Sequence, residues 1–295
     1  MINSLALRLV GMDILNPRIP LGKWVEDLFN WLQAHVQWLF DFITTVTEGL
    51  FAGLNYVLAT PPYWIMIIIF AAVAWAAGGL KRGWKLAIYT VIAFYLIRAF
   101  NMWPDGMATV AMVLVAVVLA LVIAIPVGIL AARNRCVSSV VRPILDLMQT
   151  MPGLAYLVPA MIVFGIGATP GLVCTLIFAM PPGIRLTELA IRQVDVEVVE
   201  AGQAFGSSPG RILRQIQIPL AMPTIMAGVN QVIMLALSMV VIAGFAGADG
   251  LGKPINDALQ NLDLALGAEA GVSVVLIAVF LDRVTATLGN RGRAG

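Results

Sequence analysis

A charged segment punctuated by Gly and Pro, EAGQAFGSSPGRILRQIQIP (200–219), lies between two apolar runs of membrane length, 170–190 and 222–248. An insert of this kind must face water, and its internal pattern describes two short elements. Val194, Val198, Ala201 and Phe205 recur at i, i+4, i+7 and i+11 on one helical face, with Asp195 in the first turn, where the helix dipole tolerates an anion. Gly206 supplies a C′ residue able to take positive φ, Ser208 is a ready N-cap, and Pro209 suits the first position of a new helix. Ile212, Leu213 and Ile216 form the apolar stripe of that second helix, so two short helices are expected to meet at a corner.

The rest of the chain is greasy. Hydrophobic residues make up 60% and charged residues 12% of 295, and the mean hydropathy is +0.94, which places the chain among integral membrane proteins. A formal net charge of +2 leaves no nucleic-acid footprint. Membrane-length runs at 62–80, 86–103, 107–132, 144–168, 170–190, 222–248 and 269–288 each approach the roughly 20 residues needed to span a bilayer. About seven spans are therefore expected, in an all-α polytopic fold.

Orientation follows from Lys and Arg in the short connections. If residues 1–61 lie outside, the inner segments hold 13 of these residues and the outer side keeps 5, Arg8, Arg18, Lys23, Arg98 and Lys253. The expectation is N-terminus out, C-terminus in, and the charged insert on the cytoplasmic side. On that topology Cys136 and Cys174 fall on opposite faces, which excludes a disulfide between them and favours small packing roles.

Residues 1–61 read differently from the spans. MINSLALRLVGMDIL lacks a basic region before its short apolar stretch, so no cleavable signal peptide is expected. From Trp24 to Ile43, Trp24, Leu28, Trp31, Leu32, Val36, Leu39, Phe42 and Ile43 recur at helical spacing with Glu26, Asp27, Gln33 and Asp41 opposite. With Trp24, Trp31 and Trp38 suited to the headgroup zone, an interfacial amphipathic helix is expected, continuing weakly to Leu58. A span over 38–58 is the alternative, against which stand Asp41, Glu48 and the Thr-rich middle. His35, the only histidine, has no companions for a metal site and reads as a surface or packing residue.

Inside the runs, Pro152 and Pro159 are expected to break 144–168, Pro181 and Pro182 to break 170–190, and Gly153, Gly165, Gly167 and Gly228 to allow close helix approach. Gln149, Tyr156, Asn230, Gln231 and Ser238, with soft apolar Met151 among them, suit a pathway for a small polar solute. The same Asn, Gln and Ser types also join helices by hydrogen bonds, and residue by residue the two readings stand level. Asp282 and Arg283 read as an interfacial ion pair or helix anchor.

Rival classes fare poorly. An ion-coupled secondary transporter calls for an intramembrane ionisable residue or paired interrupted helices in two related halves. A membrane enzyme calls for a nucleophile with its base, a metal cluster or a cofactor motif. The chain shows none of these, nor a G-x-x-x-x-G-K-[ST] phosphate loop, since Gly22-Lys23 and Gly252-Lys253 are followed by Trp and Pro. Any ATP chemistry must reside on another chain.

Glu200, Ala201, three residues, Gly206, nine residues, Ile216, one residue, Ile218 and Pro219 resemble, in spacing, the EAA signature of permease subunits of bacterial ATP-binding-cassette importers. Gly202 stands in place of the second Ala, and Ile218 in place of Leu. The segments 145–167, 177–187, 219–243 and VFLDRVT (279–285) look like the permeases for glycine betaine, proline betaine and choline, over roughly residues 60–288. The resemblance implies a type I importer permease of the MetI-like fold in the bacterial inner membrane. Residues 1–61 would form an extracytoplasmic or interfacial region, 62–103 two peripheral spans, and 104–290 the core with its coupling loop at 194–219. Glu200, Ala201, Gly202, Gly206, Arg211, Leu213, Ile216 and Pro219 would couple to the ATPase. Implied partners are two cytoplasmic ATPases that use ATP and Mg, an extracytoplasmic substrate-binding protein and a second copy of the chain. No cofactor is implied for the chain itself, and the cargo would be a small methylated amine such as glycine betaine, choline, proline betaine or trimethylamine N-oxide. The broader alternative is an importer for another small solute such as an amino acid.

Overall fold

The computed structural model describes residues 20–291, which are helical throughout with short connections. In chain order the helices are α1 (Leu21–Ala59), α2 (Tyr63–Ala99), α3 (Trp103–Arg133), α4 (Arg135–Thr150), α5 (Gly153–Phe164), α6 (Ala168–Arg192), α7 (Val196–Ala204), α8 (Pro209–Ile212), α9 (Ile218–Ala243), α10 (Gly252–Asn261) and α11 (Leu264–Arg291). The expectations for MINSLALRLVGMDIL lie outside the described residues. The described residues up to Ile43 belong to one compact unit and those from Thr44 onward to another.

In the first unit α1 carries Trp24, Trp31 and Trp38 exposed, and its backbone leaves helical geometry at Val36. His35 stacks on Trp31 at 4.8 Å between ring centroids, and its Nδ1 donates to the Trp31 carbonyl at 2.9 Å.

The second unit takes in the C-terminal half of α1, which is no weak continuation. Phe51 and Leu58 are buried in the main apolar core, and the polar groups that weighed against a span are bonded. Thr169 of α6 donates to Glu48 at 3.2 Å and accepts from Thr47 at 3.4 Å. The whole of Gly22–Ala59 is long and apolar enough to cross a membrane.

The runs 62–80 and 86–103 are the two arms of α2, folded at Gly79, where φ is +74° and ψ 160°. Phe70 and Phe94, one on each arm, stack at 4.6 Å, and Phe94 meets Phe280 of α11 edge-on at 5.1 Å. Because the turn ends the first arm at Gly79, that arm has the length of Tyr63–Gly79, at the lower end of what crosses a bilayer. Among the described residues five helices are long and apolar enough to cross, or six with the pair α4–α5, where seven runs were expected. The run 144–168 is that pair, bent by 98° at Met151–Pro152.

Other prolines do not break their helices. Pro159 lies within α5, and Pro181 and Pro182 lie within an unbroken α6. Their missing N–H groups cost backbone bonds, but Pro181, Pro182, Gly183 and Ile184 are all buried, and packing holds the helix where its own ladder is thinned. Gly228 does allow close approach, with Leu186 Cβ 3.0 Å from where its own Cβ would be. Gly165 and Gly167 do not, since nothing lies within 4 Å; they take φ of +78° and +140° and turn the chain between α5 and α6. Cys136 is exposed and Cys174 buried, both free.

Candidate functional site

The charged insert forms a closed corner. Asp195 is the N-cap of α7 and not a first-turn residue, accepting from the Glu197 N–H at 3.0 Å. At the other end Gly206 takes φ +77°, its N–H bonds to the Gln203 carbonyl at 2.8 Å, and the Ser207 N–H reaches back to the Gly202 carbonyl at 3.1 Å. This pair of bonds is the Schellman arrangement, which satisfies the last carbonyls of α7 and fixes the exit direction of the chain. Ser208 then caps α8 through its carbonyl, which accepts from Arg211 at 2.9 Å and Ile212 at 3.0 Å, while its hydroxyl makes no capping bond.

The second element is not a separate short helix. From Pro209 the backbone stays helical to Ala246, passing through a π turn at Leu213–Gln217. Pro219 cannot donate, and the adjacent Ile218 N–H bonds to the Leu213 carbonyl in the wider π register. A push on the corner therefore reaches α9 without a flexible joint.

Side-chain directions divide the expected coupling residues. Glu200, Ala201, Gly206, Arg211 and Pro219 are exposed, and Phe205 at the tip is 90% exposed. Gly202 is buried, and a Cβ there would stand 3.4 Å from Ile212 Cγ1, so α7 and α8 touch through it. Ile216 is half-buried beside Gly202. Leu213 is buried: it turns inward into one apolar cluster with Ala190 and Ile191 of α6 and Ala221 and Ile225 of α9.

The expected path residues also divide. Asn230 is not on an open face. Its Nδ2 donates to Asp282 Oδ1 at 2.9 Å and its Oδ1 accepts from the Thr285 hydroxyl at 2.7 Å, so it joins α9 to α11. Asp282 is thus chiefly an anchor for Asn230; its contact with Arg283 is 3.9 Å. Gln231 and Ser238 are exposed on one stripe of α9 with Met234 between them. Gln149 and Met151 are exposed at the bend between α4 and α5. Gly153, just past the bend, has Met239 Sδ within 3.2 Å of where a Cβ would be, so the bend lies against the turn of α9 that carries Ser238. Tyr156 is half-buried, and its hydroxyl donates across the bend to the Met148 carbonyl at 2.6 Å.

Sequence reasoning missed Glu188. It is the one buried charged side chain among the described residues. A single oxygen, Oε1, accepts from the Ser138 hydroxyl at 2.8 Å and meets Arg142 and Arg192 at 3.0 Å each. Arg192 also donates to the Ala131 carbonyl of α3 at 2.8 Å, and Arg185 pairs with Asp146. The available signal was an acid flanked by Arg185 and Arg192 at helical spacing inside an apolar run.

Residues 124–293 match the family described as binding-protein-dependent transport system inner membrane component. The chain is 42% identical over 286 residues to the glycine betaine/proline betaine transport system permease protein ProW of Escherichia coli, covering 96% of this chain and 80% of that protein. It is 44% identical over 278 residues to the glycine betaine transport system permease protein OpuAB of Bacillus subtilis, covering 93% and 95%. The trimethylamine N-oxide transport system permease protein TmoV of Ruegeria pomeroyi is 35% identical over 276 residues, 90% of this chain and 42% of that protein. Among solved structures, the inward-facing MetNI methionine ABC transporter matches with a TM-score of 0.54 at 24% identity, over 67% of this chain and 97% of that one, a likeness of fold.

Proposed function

Because this chain belongs to the family of binding-protein-dependent transport system inner membrane components, we propose that it is the permease of an ATP-driven importer whose cargo is a small methylated amine. The observation that carries the cargo class is near-full-length identity of 42% and 44% to permeases named for glycine betaine. Similarity to a permease named for trimethylamine N-oxide keeps amine oxides within the class. Such cargo has a fully substituted nitrogen with no N–H to donate, so a path needs soft apolar and weakly polar walls more than paired acids. Gln149 and Met151 at the α4–α5 bend, and Gln231, Met234 and Ser238 along α9, supply that chemistry on exposed faces.

In this reading the 194–219 loop lies in the cytoplasm, where a separate ATPase hydrolyses Mg-ATP. Two copies of the chain pair with two ATPases, and an extracytoplasmic binding protein delivers cargo. The outward surface of the corner, Val198, Ala201, Glu200 and Phe205, is the seat of the ATPase; Phe205 has no cover within its own chain. Closure of the ATPases moves the corner, and the continuous helix from Pro209 carries that motion to α9. Uptake of labelled glycine betaine, proline betaine, carnitine, choline and trimethylamine N-oxide in a strain lacking its own osmolyte importers tests the proposal. Uptake of at least one, dependent on co-expressed ATPase and binding protein, is the expected result; uptake of methionine alone would refute it.

A further inference from the structure

Helices α3, α6 and α9 form a tightly interlocked block. A Cβ at Gly128 of α3 would stand 2.6 Å from Thr187 Cβ of α6, and one at Gly183 of α6 would stand 3.0 Å from both Ala124 of α3 and Val232 of α9. Interfaces this close resist sliding. The attachment of α4 is different in kind. Only Ser138 and Leu145 of α4 are buried, while Val140, Ile144 and Leu147 are exposed. An apolar cluster, Leu145 with Val141 and Met148 against Ala124 and Val127 of α3 and Ile184 of α6, holds α4 to the block, and a polar seam runs beside it. Ser138, Arg142 and Asp146 recur at i, i+4 and i+8 along α4, and Arg185, Glu188 and Arg192 at i, i+3 and i+7 along α6. The two stripes face each other in antiparallel order: Ser138 and Arg142 meet Glu188, and Asp146 meets Arg185.

We propose that this seam is a joint that opens and closes during transport, with Glu188 as its positioning residue, transmitting motion of α6 and the coupling corner to α4. The proposal rests on the importer reading. Its physical basis is that the seam can part without stranding a charge. Glu188 is 4% exposed as a side chain, and a buried carboxylate that lost every cation would be strongly destabilised. Arg192, four residues on in the same helix and already 3.0 Å away, stays with it when α4 leaves. On α4, Arg142 and Asp146 stand at i, i+4, the spacing of a helical ion pair, so each can take the other once its partner across the seam withdraws. Arg185, three residues before Glu188, turns to that carboxylate. Every charged group thus has one partner across the seam or one within its own helix. The 98° bend at Met151–Pro152 gives α4 a pivot at its far end, crossed by the bond from Tyr156 to Met148. Along the seam lies a half-open pocket of about 360 Å³ lined by Arg142, Asp146, Arg185, Glu188, Leu189 and Arg192, which gives water and the exchanging side chains room.

The test uses the permease reconstituted with its ATPase, with Cys136→Ser and Cys174→Ala removing the native thiols and Asp146→Cys with Arg185→Cys placing one thiol on each side of the seam. A short reducible bis-methanethiosulfonate linker is applied without nucleotide and with ATP and vanadate. The joint predicts that cross-link yield changes by about threefold or more between the two states. It also predicts that linked complex loses ATP-dependent uptake and regains it on reduction. Equal yields in both states, or undiminished uptake by linked complex, would overturn it. The yield is read on a gel without cargo, so a mistaken cargo class leaves this readout intact, whereas absent uptake of every methylated amine by unlinked wild type would strike the importer reading alone. Arg142→Ala, which leaves Glu188 with Ser138 and Arg192, is an independent arm. ATP hydrolysed per cargo moved should rise by about fivefold, and a wild-type ratio would count against the joint.

Discussion

Ile216 packs against Gly202 so closely that a Cβ on Gly202 would lie 2.8 Å from Ile216 Cδ1. The contact locks α7 to the helix that runs on into α9, and it sits where the EAA pattern ordinarily has alanine. The intruding atom is the flexible end of a side chain, so Gly202→Ala is expected to keep transport within about twofold of wild type after a small shift of Ile216. Gly202→Leu overpacks the contact at a cost of about 1–3 kcal/mol and should uncouple ATP hydrolysis from uptake. Parallel ATPase and uptake assays on purified complex measure both.

Gly206 has φ +77° and nothing within 4 Å of a would-be Cβ, so a substitution there is felt through the backbone alone. Gly206→Val should cost about 1–2 kcal/mol and tilt α8 away from its present direction, lowering both uptake and copurification of the ATPase. Gly206→Asn, which tolerates the left-handed region, should retain most activity. Similar loss in both variants would place the sensitivity in side-chain bulk, against the geometry.

Asn230 links α9 to α11 through Asp282 and Thr285. Asn230→Leu should lower the stability of the detergent-solubilised permease by about 0.6–2 kcal/mol, seen as a reduced Tm, while leaving the KM for cargo unchanged. A raised KM with unaltered Tm would return Asn230 to the path.

Tyr156→Phe removes the hydroxyl that bonds to Met148 across the bend and nothing else. The loss of one neutral hydrogen bond, about 1 kcal/mol, should slow uptake without changing which amines compete, because the bond braces the bend. A changed competition profile would put the ring in contact with cargo.

Much of the corner was legible in sequence because its residues have steep backbone preferences. Gly206 ends a helix, Pro209 begins one, and Pro152 breaks a run, each for reasons local to a few bonds. The continuity of Pro209–Ala246 was not legible, because a proline in an apolar periodic stretch fits equally an interrupted helix and one that absorbs it in a π turn. The same ambiguity misplaced Pro181 and Pro182, whose helix is held by neighbours distant in sequence. Asn230 and Gln231 are adjacent and chemically alike, yet they point about 100° apart around α9, one bonded to α11 and the other exposed. Composition cannot tell them apart until the partner helix is placed. Glu188 was overlooked because a single acid near the end of an apolar run looks like a solvated terminus, and its burial depends on α4 folding back over it.

The central claim is most directly tested by ATP-dependent uptake of radiolabelled glycine betaine into proteoliposomes holding this permease with its ATPase and binding protein, with unlabelled competitors in excess. The expected uptake requires ATP, is competed by proline betaine, carnitine or trimethylamine N-oxide, and is abolished by Glu200→Lys with the permease still present in the membrane. Uptake that proceeds without ATP, or that methionine or another unmethylated amino acid competes as well as glycine betaine does, would contradict it.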